Sequence, residues 1–441
     1  MRRASLVVWL ATTLVVLGIP LAAGAGPGEG RVSPVVGGEV RLSPAATPGA
    51  EQAPDVACDV DADRCLVVWQ HDRDDAAGRG TDIYARLVVG TDGRPMAPAR
   101  RISGPAATGD DLCPAVAWAS TNAWGAPHGQ YLVVWQDGRN ADSDVYGRQV
   151  GDDGIPIGGD IRISTTAYDD LCGDVTWASS TNQYFVVWED RRNPAVRGSD
   201  IYGRLLNAWD GALPGAAVRV SGPEATTDDQ DPAVAWNNNS NQFLVVWEDQ
   251  RDYGDRYIDI YGRRVRAAGS MLGLDFRISG PDATYTERDP AVAWGWGQNE
   301  FVVVWWDQRG QDGFTDDVFG QRVRADGTLR GVEKRISYTW DGQTPQPAID
   351  WSEDTRQFLV VWQDWRNFDP PADRGADIYG RLLGDDWVFD GPSFRASGVN
   401  ALESEYNPAV AWNSTAAQFQ VVWEDRRANP DDAIFGRRVA G

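Results

Sequence analysis

Seven copies of one short apolar element constrain this chain more than anything else in it. The element is Val-Val-Trp, and its Trp falls at positions 69, 135, 188, 247, 305, 362 and 423. The spacings are 66, 53, 59, 58, 57 and 61, a mean of 59 residues along a chain of 441. A fixed period of this kind marks a protein built from one repeated supersecondary unit. Each copy carries four β-rich runs separated by polar turns rich in Gly and Pro. In the clearest copy run A is Asp231 to Trp236, run B is Gln242 to Arg251, run C is Asp259 to Val265, and run D is Phe276 to Ser279. Run B is continuously apolar, as a strand covered on both faces must be. No stretch keeps a helical period. The expected fold is an all-β seven-bladed β-propeller of four-stranded antiparallel blades.

The ends agree with a closed ring. The first D run, Val40 to Ser43, has no A, B or C before it, and the last copy stops after its C run, Ile434 to Val439. The N-terminal strand is therefore expected to complete the last blade in a 3+1 closure, which leaves no open blade face. Ahead of it, Arg2 and Arg3 precede an apolar run from Leu6 to Leu21 and a small-residue site at Ala23-Gly24-Ala25. That is the pattern of a secretory signal peptide. The organisation expected is residues 1–25 signal peptide, 26–37 linker and 38–441 propeller. The chain is expected to be secreted, extracellular or periplasmic, without a membrane span, and monomeric. Export permits disulfides, and the positions of the four Cys within the repeat suggest Cys58 with Cys65 and Cys113 with Cys172.

What recurs in every blade serves the blade, because one binding site has no use for seven copies. An Arg four places after the B-run Trp recurs at 73, 139, 192, 251, 309, 366 and 427. An Asp two places after that Trp recurs in six blades, with His71 in the first, and another Asp opens run C in six. The expectation is an Arg–carboxylate clamp that closes each B–C loop, since the guanidinium fork can hold two carboxylates. Seven Trp in run B and six in run A are expected in blade cores rather than on a ligand platform.

The motif Val-Val-Trp-Glu-Asp-x-Arg followed by Asp-Ile-Tyr-Gly-Arg resembles the repeats of secreted bacterial β-propellers of the TolB-like and WD-repeat-like group, over roughly residues 38 to 441. The resemblance implies the architecture and no activity. The Gly-His and Trp-Asp pair of WD repeats, the paired glycines of kelch repeats and the Asp box of sialidases are all missing, so no functional residue carries over.

Function is sought where blades differ, on the face formed by the D–A and B–C loops. The D–A loops are acidic, with Asp110 and Asp111, Asp169 and Asp170, and Asp228 and Asp229 as candidate ligand-binding residues, and with Asp231, Glu287 with Asp289, and Glu403 with Glu405 beside them. If they ring the channel they focus a negative field, suited to a cation or a polar ligand; the plain alternative is a solvated rim. Trp306, Trp340 and Trp365 lie outside the repeat and map to the same face, a candidate platform for sugar rings. Asp59, Asp61 and Asp63 alternate through a tight turn, a candidate Ca²⁺ site, although such a turn is also simply a good turn. With 64 acidic against 41 basic residues, a nucleic-acid partner is excluded. Only His71 and His128 are available for histidine chemistry, and no nucleophile elbow, zinc or phosphate motif occurs. The expected function is therefore a non-catalytic extracellular binding or scaffold module for a glycan or protein, more a non-enzyme than an enzyme. The alternative is a carbohydrate-active enzyme, glycosidase or lyase, using carboxylates at the channel mouth.

Overall fold

Run B does form the strand that both neighbours cover. In the fourth blade, strand B (Gln242–Asp249) is buried at every residue, and all seven Val-Val-Trp indoles are fully buried. The computed structural model describes residues 33–441, apart from 45–48, 73–79, 121–128, 194–197, 225–226, 282–284, 310–315, 339–344, 367–374, 399–402 and 429–431. The expected signal peptide and the start of the linker lie outside the described residues. Among the described residues, 28 strands make seven four-stranded antiparallel sheets in the order A-B-C-D. The seventh sheet is completed by the N-terminal strand Val35–Arg41, which pairs with Ala433–Ala440 through Val40 opposite Gly436. Two single helical turns, Tyr253–Arg256 and Arg426–Ala428, interrupt B–C loops. No helix among the described residues is long and apolar enough to cross a membrane.

The Asp-Ile-Tyr-Gly-Arg motif joins one blade to the next. Its Arg donates to a D-strand carbonyl of the preceding blade: Arg148 to Ile102 at 3.0 Å, Arg204 to Ile163 at 2.7 Å, Arg263 to Val220 at 2.9 Å. Its Gly lies under the D-strand Ile, so that a Cβ on Gly262 would sit 2.7 Å from Ile278 Cδ1. That close approach is why the position favours a residue without a side chain.

The Arg clamp exists, but it is divided between two arginines. The B–C loop Arg grips only the B-strand Asp: Arg139 N and Nε both donate to Asp137, at 2.9 and 2.8 Å. Its guanidinium also lies over the C-strand ring, 4.1 Å from the centroid of Tyr146, and reaches a D-strand acid, Asp160, at 2.8 Å. The Asp that opens strand C is instead held by an Arg from strand D, as in Arg162 with Asp144 at 2.8 Å. One fork cannot lie on the ring and still span both carboxylates.

A second acid meets five of the six B-strand Asp residues. Strand A begins with a buried acid directly opposite it: Asp111 faces Asp137, Asp170 faces Asp190, Asp229 faces Asp249, Glu287 faces Asp307 and Glu405 faces Asp425. Two buried carboxylates cannot both ionise at such range. Arg139 overcomes burial and holds Asp137 below the usual range. Burial, and then the charge of Asp137, push Asp111 up to about 9. The same causes raise Asp170 to about 7 and Glu287 to about 10, and burial raises Glu405 to about 8. The A-strand acid is thus the protonated member of the pair. Its folded pKa lies above the unfolded value near 4, so its contribution to stability is complete below about pH 4 and is lost as pH rises through the folded value. Thermal melting should therefore show a midpoint that falls steadily from pH 5 to pH 9. Glu287→Gln, which mimics the protonated acid, should flatten that slope; an unchanged slope would remove the pairs as its cause.

Candidate active site

Just inside that buried acid, strand A turns one side chain into the axis. Two residues after the acid, the register with strand B slips and the backbone enters the left-handed region: φ is 48° at Ala53, 51° at Cys113, 47° at Asp231, 50° at Asp289, 40° at Gln346 and 49° at Asn407. A bulge of this kind re-aims a side chain and is common beside active sites. The next residue is Pro, or Gly173 after Cys172, and the fourteen residues line one cavity of about 360 Å³ at the channel mouth. The proline collar repeats; the residue before it does not. It is Ala in the first blade, Cys in the second and third, Asp in the fourth and fifth, and an amide in the sixth and seventh. By the rule that recurrence is structural, this ring is where the blades have been made different.

Three of the strand A turns are held from the preceding blade by the residue after the B-strand Trp. Gln70 Oε1 accepts from Cys113 N at 3.0 Å, Gln136 Oε1 from Cys172 N at 3.4 Å, and Glu248 Oε1 from Asp289 N at 2.8 Å. In the second and third blades the ring position is closed by the Cys113–Cys172 disulfide, with Cα atoms 5.4 Å apart. In the fourth and fifth it is a carboxylate cluster: oxygens of Asp231, Glu248 and Asp289 all lie within 4.8 Å of one another. Glu248 is buried, and burial followed by the charge of Asp231 pushes it up to about 9. Burial and then Asp231 raise Asp289 to about 6. Burial also raises Asp231, while its hydrogen bond with Glu248 works in the opposite direction. The cluster thus holds one fixed proton on Glu248, a carboxylate that receives it, and a third carboxyl that exchanges protons near pH 6.

The six loop acids expected at the mouth do not form it. Asp110, Asp169 and Asp228 cap the preceding B–C loop, each accepting a backbone N–H: Thr81 at 3.0 Å, Ser143 at 3.0 Å and Ser199 at 2.9 Å. Asp111, Asp170 and Asp229 are the buried acids of the blade pairs. Asp231 and Asp289 belong to the same acidic stretches, but only the bulge, which no local sequence rule announces, turns them into the axis. Of the three Trp, Trp306 is only 6% exposed and lies within strand B of the fifth blade, in place of the Gln or Glu found elsewhere. Trp365 is half-buried with its ring 6.1 Å from that of Tyr406. Trp340 lies outside the described residues. The three turn aspartates reach separate partners: Asp59 binds Arg64 at 3.0 Å, Asp61 receives Ser120 Oγ at 2.6 Å, and Asp63 receives Thr91 Oγ1 at 2.6 Å. The Cys58–Cys65 disulfide joins strands A and B beside that turn.

The B-strand position of Glu248 is already Gln in the first, second and sixth blades. Glu248→Gln should therefore keep the melting temperature within a few degrees. It should also remove one resonance from the set of carboxyls that stay protonated above pH 8 in a ¹³C carboxyl titration, leaving those of Asp111 and Glu287 in place. A large loss of stability would mean that the proton itself holds the rim together.

No family model matches the chain, and no curated protein matches it. Solved structures do. A mutant α-L-arabinofuranosidase of Fusarium graminearum in complex with an iminosugar inhibitor is 13% identical, with 92% of this chain and 98% of that one covered and a TM-score of 0.50. The GH93 α-L-arabinofuranosidase of the same organism, in complex with arabinobiose, is 11% identical over 75% of this chain and 93% of its own, again at 0.50. Puromycin hydrolase is 14% identical at 0.51, but this chain covers only 51% of it. At such identities the likeness shows the fold. It agrees with the expected β-propeller and does not single out the TolB-like or WD-repeat group. The expectation of a non-catalytic binding or scaffold module, more a non-enzyme than an enzyme, is corrected here. The propellers matched over nearly their whole length include glycosidases, a finding that weighs against it and favours the carbohydrate-active alternative.

Proposed function

We propose that the chain is a secreted glycoside hydrolase that acts on α-L-arabinofuranosides with retention of configuration, through the carboxylates at its channel mouth. The observation that carries this reading is the convergence of Asp231, Glu248 and Asp289 at one place on an otherwise repetitive ring. Retaining glycosidases set their two carboxyl groups about 5–5.5 Å apart, inverting ones about 6.5–9.5 Å. Oxygens within 4.8 Å match the first class. The substrate class is taken from the arabinofuranosidases that share the fold. Secretion is supported by the N-terminal sequence pattern and the two disulfides.

Each carboxyl has a role set by its surroundings. Asp289, raised to about 6, gives its proton to the glycosidic oxygen as the bond to the anomeric carbon breaks. Asp231 attacks that carbon and forms the glycosyl ester. Protonated Glu248, hydrogen-bonded to Asp231, is a positioning residue that steadies the attacking carboxylate. Water, deprotonated by Asp289, then cleaves the ester, releases the sugar and returns the proton to Asp289. The proline collar supplies apolar walls around the reacting ring.

The general acid must be protonated, so kcat should fall as pH rises above about 6. With arabino-oligosaccharides as substrate, Asp231→Asn and Asp289→Asn should each lower kcat by about 10²–10⁴ with folding intact. Proton NMR of the first-formed sugar should show the retained anomer. Full activity in either variant would refute the assignment. Loss of wild-type activity in EDTA with recovery in Ca²⁺ would instead assign the three carboxylates to a cation.

A further inference from the structure

Three of the five exposed tyrosines among the described residues lie on loops that adjoin the acid-bearing strands: Tyr253 at 55%, Tyr257 at 48% and Tyr285 at 49% exposure. Tyr253 and Tyr257 belong to the B–C loop of the fourth blade, which directly follows the strand carrying Glu248. That loop bridges the two A strands that supply Asp231 and Asp289. At its start Gln250 N donates to Asp228 O at 3.1 Å, and Gln250 Nε2 donates to Gln230 Oε1, beside Asp231, at 3.0 Å. At its end Ile258 O accepts from Glu287 N at 3.0 Å, two residues before Asp289. Tyr285 lies two residues before Glu287 on the adjoining D–A loop.

The backbone adds an independent sign. Tyr257 has φ 69° and ψ −104°, a conformation rare for a bulky residue, closed by its N–H to Tyr253 O at 3.3 Å. Strain of this sort persists where the surroundings impose it and gathers at ligand sites. It sets the Tyr257 ring edge-on to Tyr253, with centroids 5.6 Å apart and planes at 78°.

We infer that Tyr253 and Tyr257, with Tyr285 opposite, form a stacking platform for the sugar units that follow the one held at the channel mouth, so that the ligand is an oligosaccharide rather than a monosaccharide glycoside. The inference rests on the glycosidase reading. An open tyrosine face offers a sugar ring apolar contact, while the phenol group keeps a hydrogen bond for its hydroxyls. The mouth cavity of about 360 Å³ is walled by the fourteen strand A residues alone. A longer chain must leave it over the surrounding loops.

The test uses the whole chain carrying Asp289→Asn, so that ligand is bound and not consumed, and titrates arabinobiose and arabinohexaose by calorimetry. Hexaose should bind more tightly than biose. Tyr253→Ala with Tyr257→Gly should lower hexaose affinity about tenfold, a loss of about 1.4 kcal/mol, and lower biose affinity by much less. Gly at 257 relieves the positive φ, so the melting temperature should hold or rise while affinity falls, a split that a purely structural tyrosine would not give. Equal affinities for the two ligands, or variants that bind hexaose as the parent does, would overturn the platform. Hydrolysis by the unmodified chain is read separately: cleavage without a tyrosine effect leaves the glycosidase and removes the platform. Failure of both ligands to bind would remove the platform whatever the hydrolysis assay returns.

Discussion

A carboxylate that cannot reach water governs six of the seven blades. The B-strand Asp lies fully buried at the loop end of the sheet, where it accepts the indole N–H of the repeat Trp, as Asp137 does from Trp135 at 3.0 Å. The same group holds the B–C loop Arg and stands opposite the A-strand acid. Burying a charge is tolerable only when it is paired and hydrogen-bonded. Arg, Trp and the protonated acid together meet that demand. The repetition of Trp, Asp and Arg at fixed offsets is thus one requirement met in successive blades.

That requirement also fixes the inner ring. Because the A-strand acid must face the B-strand Asp, the strand is pinned two residues before its bulge. The bulge then turns the next side chain to the axis whatever its chemistry. A position whose direction is set by its neighbours, but whose identity they do not restrict, is free to differ. In the second and third blades it carries a disulfide, and in the fourth and fifth a carboxylate pair. Rigid strands, not loops, therefore present the proposed catalytic groups, which suits chemistry that needs oxygens held to fractions of an ångström.

The sequence reading located the acidic stretches but could not tell which of their members share the axis. Asp228, Asp229 and Asp231 stand within four residues, yet one caps a loop, one is buried in a blade pair, and one enters the channel. Local composition treats them alike. The same holds for Trp306: its place in the chain says loop face, while the neighbouring blade buries it. The exposed Tyr253 and Tyr257 were not singled out, because a tyrosine in a B–C loop carries no mark of its exposure in the sequence.

Fold class, blade number, ring closure and both cysteine pairings followed from the sequence alone, because a period of about 59 residues with four strand runs admits few closed arrangements. Repetition makes such inference strong, since each blade reports on the others. What the tertiary structure decided was convergence. Asp231 and Asp289 are 58 positions apart, and their meeting over Glu248 depends on a bulge in each strand and on the contact between adjacent blades. No pattern within a single repeat encodes a distance between two repeats, so the site becomes visible only when the ring is closed.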